Sequence, residues 1–441
     1  MVIEIIRQNY ESKAEIMGIV EPLVELMCNV KAKGFNFRGK SKIKNQMKKL
    51  RIFPIVLLVL GLGCSNSKTT EKVVTTPDGN TEEGGEAALT DYYKTLPLDK
   101  IKLPAGFTID VFAEVENARG MTMSPSGILY VGNSNKDKVY AVKDVDRDFK
   151  ADKKWVVASG LNMPTGVAFK DGDLYVSAVS RILKYPGIES KLNAPPAPIV
   201  INEDFPTETH HGWKYIAFGP DGKLYVPVGA PCNICESKDE IYATITRMNA
   251  DGSGREIFAK GIRNTVGFTW HPETKNIWFT DNGRDSMEGE DLPSCELNTA
   301  SKPGLHFGYP YCHAGDVKDP EFGDKRPCSD FEKPIEKLGA HVAPLGLKFY
   351  TGSMFPASYK NQIFIAEHGS WDRKPKSGYN VTLVKLAGNK VLGREVFASG
   401  WLDNETQKVW GRPVDVLVLP DGSILVSDDQ ANVVYRISYK G

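Results

Sequence analysis

The sequence has no excess charge of either sign, no long apolar run and few cysteines. Its 441 residues contain 55 Lys plus Arg and 55 Asp plus Glu, a balance that argues against nucleic acid as the main partner. The uninterrupted apolar stretch at 52–63 is about a dozen residues long and contains Pro54, well short of the roughly 20 residues of a membrane-spanning helix. No CxxCH motif occurs, which excludes a covalently attached haem of the c type. The hydrophobic content of 41% is ordinary for a globular protein and allows a large core.

Residues 47–64 have the composition of an export signal. Met47 begins a positively charged segment, 52–60 is apolar, and a glycine precedes Cys64. This pattern resembles a bacterial lipoprotein signal, except that Gly61 stands where a large aliphatic residue is usual. We expect a lipid on Cys64, and the alternative is a plain secretory signal with a chance cysteine.

The segments on either side of this signal are also distinct. Residues 1–46 are interpreted as an unusual extension or as upstream sequence read from a misassigned start. Residues 65–95 contain too few large apolar side chains for a core, so they predict a flexible tether to a folded domain at 96–441. The expected location is periplasmic or tethered to the outer membrane, with membrane contact only through a lipid anchor on Cys64.

One unit recurs six times in the folded part: a turn containing Pro or Gly-Asp, then a strand-like segment, at intervals of roughly 50 residues or more. The strands after the turns are marked by Leu129, Leu174, Leu224, Ile277, Ile363 and Ile424. Segments such as 166–169 and 215–218 precede the turns, so each unit is a hairpin. Radial packing buries both faces of six hairpins and protects their edges. The sequence therefore predicts an all-β fold, a six-bladed β-propeller, closed by pairing of 108–112 with the last blade.

Polar side chains recur at the hairpin ends, which in a propeller point toward the central axis. Those before the first strands include Arg119, His211, Arg263, Asn264 and Arg412, and those after the second strands include Asn282, His368, Asp428 and Asp429. Together they predict a site for an anionic, oxygen-rich ligand. For any one residue, the alternative is a wet, polar channel without a ligand.

Several longer motifs resemble the sorbosone dehydrogenase family. They lie at 210–222 (HHGWKYIAFGPDG), 261–264 (GIRN), 278–284 (WFTDNGR), 304–312 (GLHFGYPYC) and 365–371 (IAEHGSW). That family is similar to the soluble glucose and aldose dehydrogenases that use pyrroloquinoline quinone (PQQ), which are six-bladed propellers. The resemblance extends from about Leu103 to Tyr439. It implies oxidation of a sugar or sugar-derived aldehyde, with electrons passed to an external acceptor.

The resemblance assigns the catalytic base to His211. Oxidation of a sugar hemiacetal to a lactone requires a base for the hydroxyl proton while hydride leaves C1, and imidazole suits that role near neutral pH. His210 is adjacent, and a shift of one residue in the alignment would exchange the two roles. The glucose enzymes orient their histidine with an aspartate, but Ala230 stands at the matching position here. Asp281 and Glu208 are only guesses for the partner.

The resemblance also implies a PQQ site. The three carboxylates of PQQ require cationic, hydrogen-bonding side chains, and Arg263 with Asn264 matches the cofactor-binding pair of the family. Arg412 matches a second arginine of that kind. The further contacts expected are Asn282, Arg119, His368 and Arg373.

A calcium ion bridges the protein and PQQ in the related enzymes and polarises the quinone carbonyl. Its ligands include backbone carbonyls that correspond here to Gly283 and Arg284, and Asp291 is expected as a nearby oxygen donor. The alternative is that this acidic loop is simply solvated.

The remaining cysteines predict disulfides in an oxidising compartment. For Cys232 and Cys235 a structural disulfide is preferred over a redox pair or half of a zinc site. Cys312 and Cys328 bracket a Gly-, Asp- and Pro-containing excursion and are expected to be bridged, which leaves Cys295 unpaired.

Two other functions remain open. A calcium-dependent propeller hydrolase acting on lactones would need a cage of carboxylates and asparagines on the axis, and the arginines count against it. A binding propeller that has lost catalysis is favoured by Ala230, whereas the retention of His211, Arg263 and Asn264 opposes it.

Overall fold

The computed structural model describes residues 84–287, 290–371 and 373–441. The predicted extension, export signal, anchor cysteine and tether residues 65–83 lie outside the described residues. Within the described ranges, helical segments are limited to short 3-10 turns at Tyr92–Thr95, Leu98–Lys100, Ile188–Lys191, Cys328–Asp330 and Ala357–Tyr359. No helix in these ranges has the length and apolar character needed to cross a membrane.

Two strands, β1 (Glu86–Ala87) and β2 (Phe107–Glu114), precede the first three blades. The first blade contains β3 (Ala118–Met123), β4 (Leu129–Asn133), β5 (Val139–Lys143) and β6 (Lys153–Ala158). The second contains β7 (Val167–Lys170), β8 (Asp173–Ser177), β9 (Ile182–Tyr185) and β10 (Ile199–Asn202). The third contains β11 (Ala217–Phe218), β12 (Leu224–Val228), β13 (Thr244–Met248) and β14 (Glu256–Lys260).

The fourth blade contains β15 (Phe268–Trp270), β16 (Ile277–Asp281) and β17 (Ser294–Ala300), followed by an insertion. The insertion holds β18 (Leu305–His306), which pairs in parallel with β14, and the hairpin β19 (Cys312–His313) and β20 (Val317–Lys318). The outer strand of the blade is β21 (Glu336–Ala340). The fifth contains β22 (Pro344–Phe349), β23 (Ile363–Glu367), β24 (Asn380–Ala387) and β25 (Lys390–Ala398), and the sixth contains β26 (Pro413–Val418), β27 (Ile424–Asp428) and β28 (Val433–Tyr439).

The ring closes where β2 becomes the outer strand of the sixth blade. β2 pairs antiparallel with β28, from Phe107 opposite Tyr439 to Glu114 opposite Val433. Both the six-bladed propeller and its closing strand, predicted from the repeat, are confirmed.

Ordered contacts begin before the predicted domain start at residue 96. β1 pairs with β6, and the carboxylate of Glu114 accepts hydrogen bonds from the backbone N–H groups of Thr90 and Tyr93. Residues 86–95, assigned to the tether by their composition, therefore lie against the first and last blades.

The core consists of layers between neighbouring blades. All of β4, β12, β16, β23 and β27 is buried, because blades pack against both faces of these second strands. Aromatic rings bridge adjacent blades, for example Tyr130 stacked on Phe169 with centroids 5.7 Å apart. Each such aromatic or aliphatic side chain contributes about 2 kcal/mol on burial. The closed ring of blades is therefore a rigid support for the loops at its mouth.

The two predicted disulfides are present. Cys232 is bonded to Cys235 and Cys312 to Cys328, while Cys295 is buried and forms no disulfide with the other cysteines that the structure describes. The second disulfide fastens the insertion of the fourth blade, which has few strands of its own.

Candidate active site

A cavity of about 470 Å³ lies where hairpin ends of five blades meet, a size typical of small-molecule sites. Eight residues selected from the sequence line it together: Arg119, His211, Arg263, Asn264, Asn282, Gly283, His368 and Arg412. Three arginines and two aspartates, Asp285 and Asp429, supply its fixed charges. The fold thus brings the polar hairpin ends together at one cavity, as predicted.

Three other predicted residues do not reach this cavity. Arg284 turns its guanidinium to Asp319, with Nη1 and Oδ2 2.6 Å apart. Arg373 pairs with Asp291, whose side chain is 87% exposed, and donates a second hydrogen bond to the carbonyl of Ala340. The roles assigned to Arg373 and Asp291 therefore do not agree with their positions, because the loops that carry them pair with each other at the surface.

His211 is buried at the wall of the cavity. Its Nδ1 lies 2.9 Å from the carbonyl oxygen of Ala230, which can only accept, so Nδ1 carries the proton. Burial, reinforced by the charges of Arg263 and His210, lowers the pKa of His211 to about 3. At neutral pH the ring is uncharged, so Nε2 has a lone pair that can accept a proton, and an anionic ligand in the cavity would raise this low pKa and strengthen the base.

The partner of His211 is therefore a backbone group, and the guesses of Asp281 and Glu208 were wrong. Asp281 accepts the backbone N–H groups of Arg263 and Asn264, and Glu208 accepts the hydroxyl of Tyr242. The carbonyl of Ala230 fixes the tautomer as an aspartate would, although without the negative charge that would stabilise an imidazolium. The sequence could not indicate this hydrogen bond, because every residue has a backbone carbonyl.

The backbone at His211 is held in an unusual conformation. Its φ of 51° is in the left-handed region, which costs a residue with a Cβ about 1 kcal/mol or more. Gly229 makes room for this turn, since a Cβ there would lie 2.6 Å from the Cβ of His211. The strain presents the imidazole to the cavity beside Ala230.

Arg119, His368 and Asp429 form an ionic cluster on another wall. The carboxylate of Asp429 accepts Nη1 of Arg119 at 2.8 Å and Nε2 of His368 at 2.9 Å. Burial, with smaller effects of Arg412 and Arg119, lowers the pKa of His368 to about 4. Burial alone would raise the pKa of Asp429, but His368, Arg119 and Arg412 hold it below its usual range. At neutral pH the cluster is a neutral histidine and a carboxylate beside two arginines.

Asp429 was predicted only as one of the polar hairpin ends, and no role of its own was assigned to it. It occupies the register of the other polar hairpin ends, and that position was the available signal. The structure shows that its carboxylate holds the side chains of Arg119 and His368 in place.

Two arginines have donors left for a ligand. Arg412 uses Nε and Nη2 on the carbonyls of His368 and Gly369. Arg119 makes its hydrogen bond through Nη1, and its buried Nε has no partner in the part of the chain that the structure describes. The buried Oδ1 of Asn264 likewise has no partner there. Burying polar atoms unpaired is costly, so these atoms indicate a ligand site.

Arg263 has a different task from the one predicted. Its Nε and Nη2 donate to the carbonyl and side-chain oxygens of Asn233, its Nη1 donates to the carbonyls of Asn282 and Gly283, and Nη2 also contacts Asp285. These bonds use every N–H of the guanidinium. Arg263 contributes positive charge to the cavity but has no free pair of donors for a carboxylate.

The same contacts bear on calcium. The carbonyls of Asn282 and Gly283 lie 3.2 and 2.9 Å from Nη1 of Arg263, so a guanidinium already occupies the position next to them. A divalent cation at these oxygens would be repelled by it. In this arrangement the carbonyl of Gly283 does not fit calcium, whereas the role of the Arg284 carbonyl stays a prediction. Among the described residues one group of three carboxylates could share an ion, Asp144, Asp146 and Asp152, and it lies on the β5–β6 turn, away from the cavity.

A buried pair of carboxyl groups lies behind the cavity. Glu296 is directly opposite Asp281 on β17 and β16, and its oxygens accept Ala314 N–H at 2.6 Å and Asn298 Nδ2–H at 2.9 Å. Burial raises the pKa of both acids, and the charge of Asp281 raises that of Glu296 further. The pair therefore retains a proton that the unfolded chain would release.

This retained proton leads to a prediction about stability. Because the folded state binds more protons than the unfolded state above about pH 4.5, the pair makes folding less favourable as the pH rises. Glu296→Gln removes the titration, and the unpaired Oδ1 of Asn298 could accept the new amide after a flip. We therefore compare the free energy of unfolding of the variant with that of the parent. The difference should shift by about 2 kcal/mol in favour of the variant when the pH is raised from 5 to 8. Denaturant unfolding at both pH values measures it.

Glu321→Gln is the control, because Glu321 is exposed and lies in the insertion of the same blade. This variant should show no such gain. If Glu296→Gln differed from the parent by the same free energy at both pH values, the retained proton would be contradicted.

Comparisons with known proteins agree with this architecture. The TrAA12-like family model matches residues 101–440. An uncharacterized protein of Borreliella burgdorferi is 33% identical over 359 residues, covering 77% of this chain and 91% of that protein. A pyrroloquinoline quinone-dependent pyranose dehydrogenase of Coprinopsis cinerea is 29% identical over 162 residues, covering 29% of this chain and 21% of that protein.

Solved structures share the fold. The Trichoderma reesei protein of Carbohydrate-Active Enzymes Family AA12 aligns with a TM-score of 0.67 at 19% identity, covering 77% of this chain and 98% of that chain. The PQQ domain of the Coprinopsis cinerea pyranose dehydrogenase gives 0.64 at 19% identity, covering 77% and 97%. The PQQ-bound aldose sugar dehydrogenase of Streptomyces coelicolor gives 0.56 at 20% identity, covering 77% and 100%.

The predicted likeness to the aldose dehydrogenase structures is therefore confirmed at the level of the fold, and sorbosone dehydrogenase in particular stays a prediction. Since the family model matches the six-bladed domain almost from end to end, the chain belongs to the TrAA12-like family.

Proposed function

We propose that this chain is a PQQ-dependent dehydrogenase that oxidises a sugar, or a sugar-derived aldehyde in its hydrated or hemiacetal form, and passes the electrons to an external acceptor. The observation that carries the proposal is the placement of His211, whose Nε2 has no hydrogen bond to the described residues, in the same cavity as Arg119 and Arg412. Family membership and the pyranose dehydrogenase relative support it.

The cavity suits PQQ on chemical grounds. Its fixed charges, three arginines against two aspartates, leave an excess of positive charge for a ligand with three carboxylates. Arg119 and Arg412 have unused donors, and the buried Asn264 Oδ1 needs a partner. When bound, PQQ supplies the acceptor for the hydride that leaves the sugar carbon.

The side chains of the protein would remove the proton, bind the cofactor and shape the cavity. Nε2 of His211 takes the proton of the hydroxyl that is being oxidised, and Nδ1–H stays on the carbonyl of Ala230 throughout. Arg119 and Arg412 hold the carboxylates of the cofactor, while Asp429 keeps Arg119 from turning away. Arg263 fixes the loop at Asn282 and Gly283, and so shapes the floor.

Trp371 at the cavity rim is proposed to cover the substrate. Its side chain lines the cavity yet is 73% exposed, unusual for the largest apolar residue. The C–H face of a pyranose ring can pack on such a surface. Trp371→Ala is expected to raise KM about 10-fold, the equivalent of roughly 1.4 kcal/mol, with PQQ affinity unchanged. Steady-state kinetics with an aldose measures the change.

Leu392→Ala is the matched control, because Leu392 is also a large exposed side chain, at 65%, and lies on the edge strand β25. An unchanged KM in Trp371→Ala would remove the proposed role of this residue.

The decisive experiment on the function is cofactor titration of the purified protein, followed by dye reduction with a panel of aldoses and aldehydes. We expect PQQ to bind at micromolar concentration and to support turnover. Failure to bind PQQ with or without calcium would reject the proposal. Assays for lactone hydrolysis and for sugar binding without turnover would then test the alternatives.

A chelator arm of this titration tests calcium, which the resemblance implies. Because Arg263 already places a positive charge on the carbonyls of Asn282 and Gly283, we expect PQQ to bind in the presence of EDTA. Loss of binding in EDTA that calcium restores would instead support a metal ion at this loop and require Arg263 to move.

Export, with a lipid on Cys64, is part of the proposal. Two disulfides in the folded domain support an oxidising compartment. Labelling of the full chain with a radioactive fatty acid in a bacterial host, compared with Cys64→Ala, tests the anchor.

A further inference from the structure

A short loop holds both His211 and Arg263. The carbonyl of Ala230 accepts Nδ1 of His211, and its N–H donates to the carbonyl of Arg263 at 2.8 Å. Three residues further on, Asn233 accepts Nε of Arg263 at its carbonyl and Nη2 at its side-chain oxygen. The geometry of the candidate base and of the central arginine therefore depends on residues 230–235.

Asn233 also fixes the floor of the cavity. Its Oδ1 accepts the N–H of Asp285 at 2.9 Å, and its Nδ2 donates to the carbonyl of the same residue at 3.0 Å. Arg263, held by Asn233, binds the carbonyls of Asn282 and Gly283. One amide side chain thus connects the arginine with the loop after β16.

The Cys232–Cys235 disulfide closes the chain around Asn233. No strand or helix covers 230–235, and the following residues 236–240 are exposed. The other anchor is the hydroxyl of the buried Tyr309, which accepts the N–H of Cys235 at 3.0 Å and lies 3.4 Å from Sγ of Cys232. Apart from the four hydrogen bonds of Asn233 itself to Arg263 and Asp285, the backbone around it is therefore fixed by the disulfide and by one tyrosine.

A reductant can reach this disulfide without entering the candidate active site. Both cysteines are partly exposed, and Cys235 lines a separate cavity of about 650 Å³ together with Tyr309 and Ala230. None of the residues that line this cavity lines the other one. In the Cys312–Cys328 disulfide only Cys328 is partly exposed, since Cys312 is 2% exposed.

We propose that the Cys232–Cys235 disulfide is a thiol-responsive control on the candidate active site, with Asn233 as the positioning residue through which it acts. A dithiol gives two electrons and two protons to the disulfide, so that the S–S bond breaks, two cysteine thiols form and the dithiol becomes a disulfide. The opened loop no longer holds Asn233 on Arg263 or the Ala230 carbonyl on His211. The consequence for cofactor binding rests on the proposed function, whereas the release of the loop does not.

The first test needs no cofactor. Hydrogen exchange of the full-length protein is followed by mass spectrometry, with and without dithiothreitol, in peptides covering 228–236, 261–266 and 281–287. We expect reduction to increase exchange at least 10-fold in these peptides and to leave β27 and β28 unchanged. The ¹⁵N NMR signal of the His211 ring should also change from the Nδ1–H tautomer to a mixture of the two.

Two variants assign the effect to one disulfide. Cys232→Ser with Cys235→Ser should show fast exchange without reductant and no further response to it. Cys312→Ser with Cys328→Ser should respond as the parent does. Asn233→Ala, with its disulfide intact, should release the 261–266 and 281–287 peptides alone, and it serves if a cysteine variant does not fold.

PQQ affinity is the second readout, with an expected loss of at least 10-fold on reduction. If reduction alters exchange but PQQ never binds, the control stands and the proposed function fails. If PQQ binds equally well to both redox forms and exchange is unchanged, the control is overturned. A response to dithiothreitol that persists in the Cys232→Ser, Cys235→Ser protein also overturns it.

Discussion

His211→Asn is expected to lower kcat for sugar oxidation by about 10²- to 10⁴-fold, the usual contribution of a general base, while PQQ affinity stays within about threefold. Asparagine tolerates the left-handed backbone of this position, where φ is 51°, and its side-chain N–H can still donate to the carbonyl of Ala230. What it lacks is an atom at the place of Nε2. Dye-reduction kinetics with saturating PQQ measure the loss.

His210→Asn makes the same change at the adjacent position. A much smaller loss of kcat is expected, because the carbonyl of Ala230 binds the ring of His211 and not that of His210. The reverse pattern would show that the two histidines exchange roles. Wild-type turnover in both variants would exclude these two histidines as the base and favour another group of the cavity.

The pH dependence gives a further check on the same base. The active form is the neutral ring, and burial with the nearby charges of Arg263 and His210 lowers the pKa of His211 to about 3. A lowered pKa moves the acid limb of kcat/KM downward, and the carboxylates of a bound ligand would move it part of the way back. We expect the acid limb to lie below pH 6.5, so an acid limb above that value would contradict the assigned environment.

The sequence patterns predicted the fold because they are local. Each hairpin carries its own turn and its own strand pattern, and six copies permit few other arrangements. The closing strand was predictable for the same reason, since the apolar residues of 108–112 had no partner nearby in the chain.

The same register predicted which residues share the cavity, but not what each one does there. Asp429 contacts Arg119 across 310 positions of sequence, and no local pattern relates them. Arg263 matched a cofactor-binding position, yet its donors are used by Asn233, which lies on a loop outside the repeat. Roles of this kind depend on contacts between non-repeating loops, which the repeat does not determine.

Ala230 shows most plainly what cannot be predicted from side-chain identity. The absence of an aspartate at this position suggested a histidine without a partner, and hence a propeller without catalysis. The backbone carbonyl of the same residue supplies the hydrogen bond instead. Side-chain identity alone could not distinguish the two cases.

Arg119→Met is expected to weaken PQQ binding by about 10- to 100-fold, because a charge-assisted hydrogen bond to a ligand contributes roughly 1.5–3 kcal/mol. Arg119 is 3% exposed and lines the cavity, and its Nε has no partner among the described residues. The Arg119 guanidinium carbon lies 6.0 Å from the centre of the Trp213 ring, and methionine keeps much of the length and of this packing but donates no hydrogen bond. Calorimetric titration at two salt concentrations measures the affinity and the charge contribution.

Arg373→Met is the control for this experiment. The resemblance selected both arginines as PQQ contacts, but the structure places only Arg119 at the cavity, while Arg373 pairs with Asp291 at the surface. We expect Arg373→Met to bind PQQ as the parent does, even if its unfolding temperature falls slightly. Equal losses of affinity in the two variants would mean that the loop carrying Arg373 closes over the ligand. Wild-type affinity in Arg119→Met would instead leave Arg412 as the main anchor for the carboxylates of the cofactor, since its Nη1 makes no hydrogen bond to the described residues.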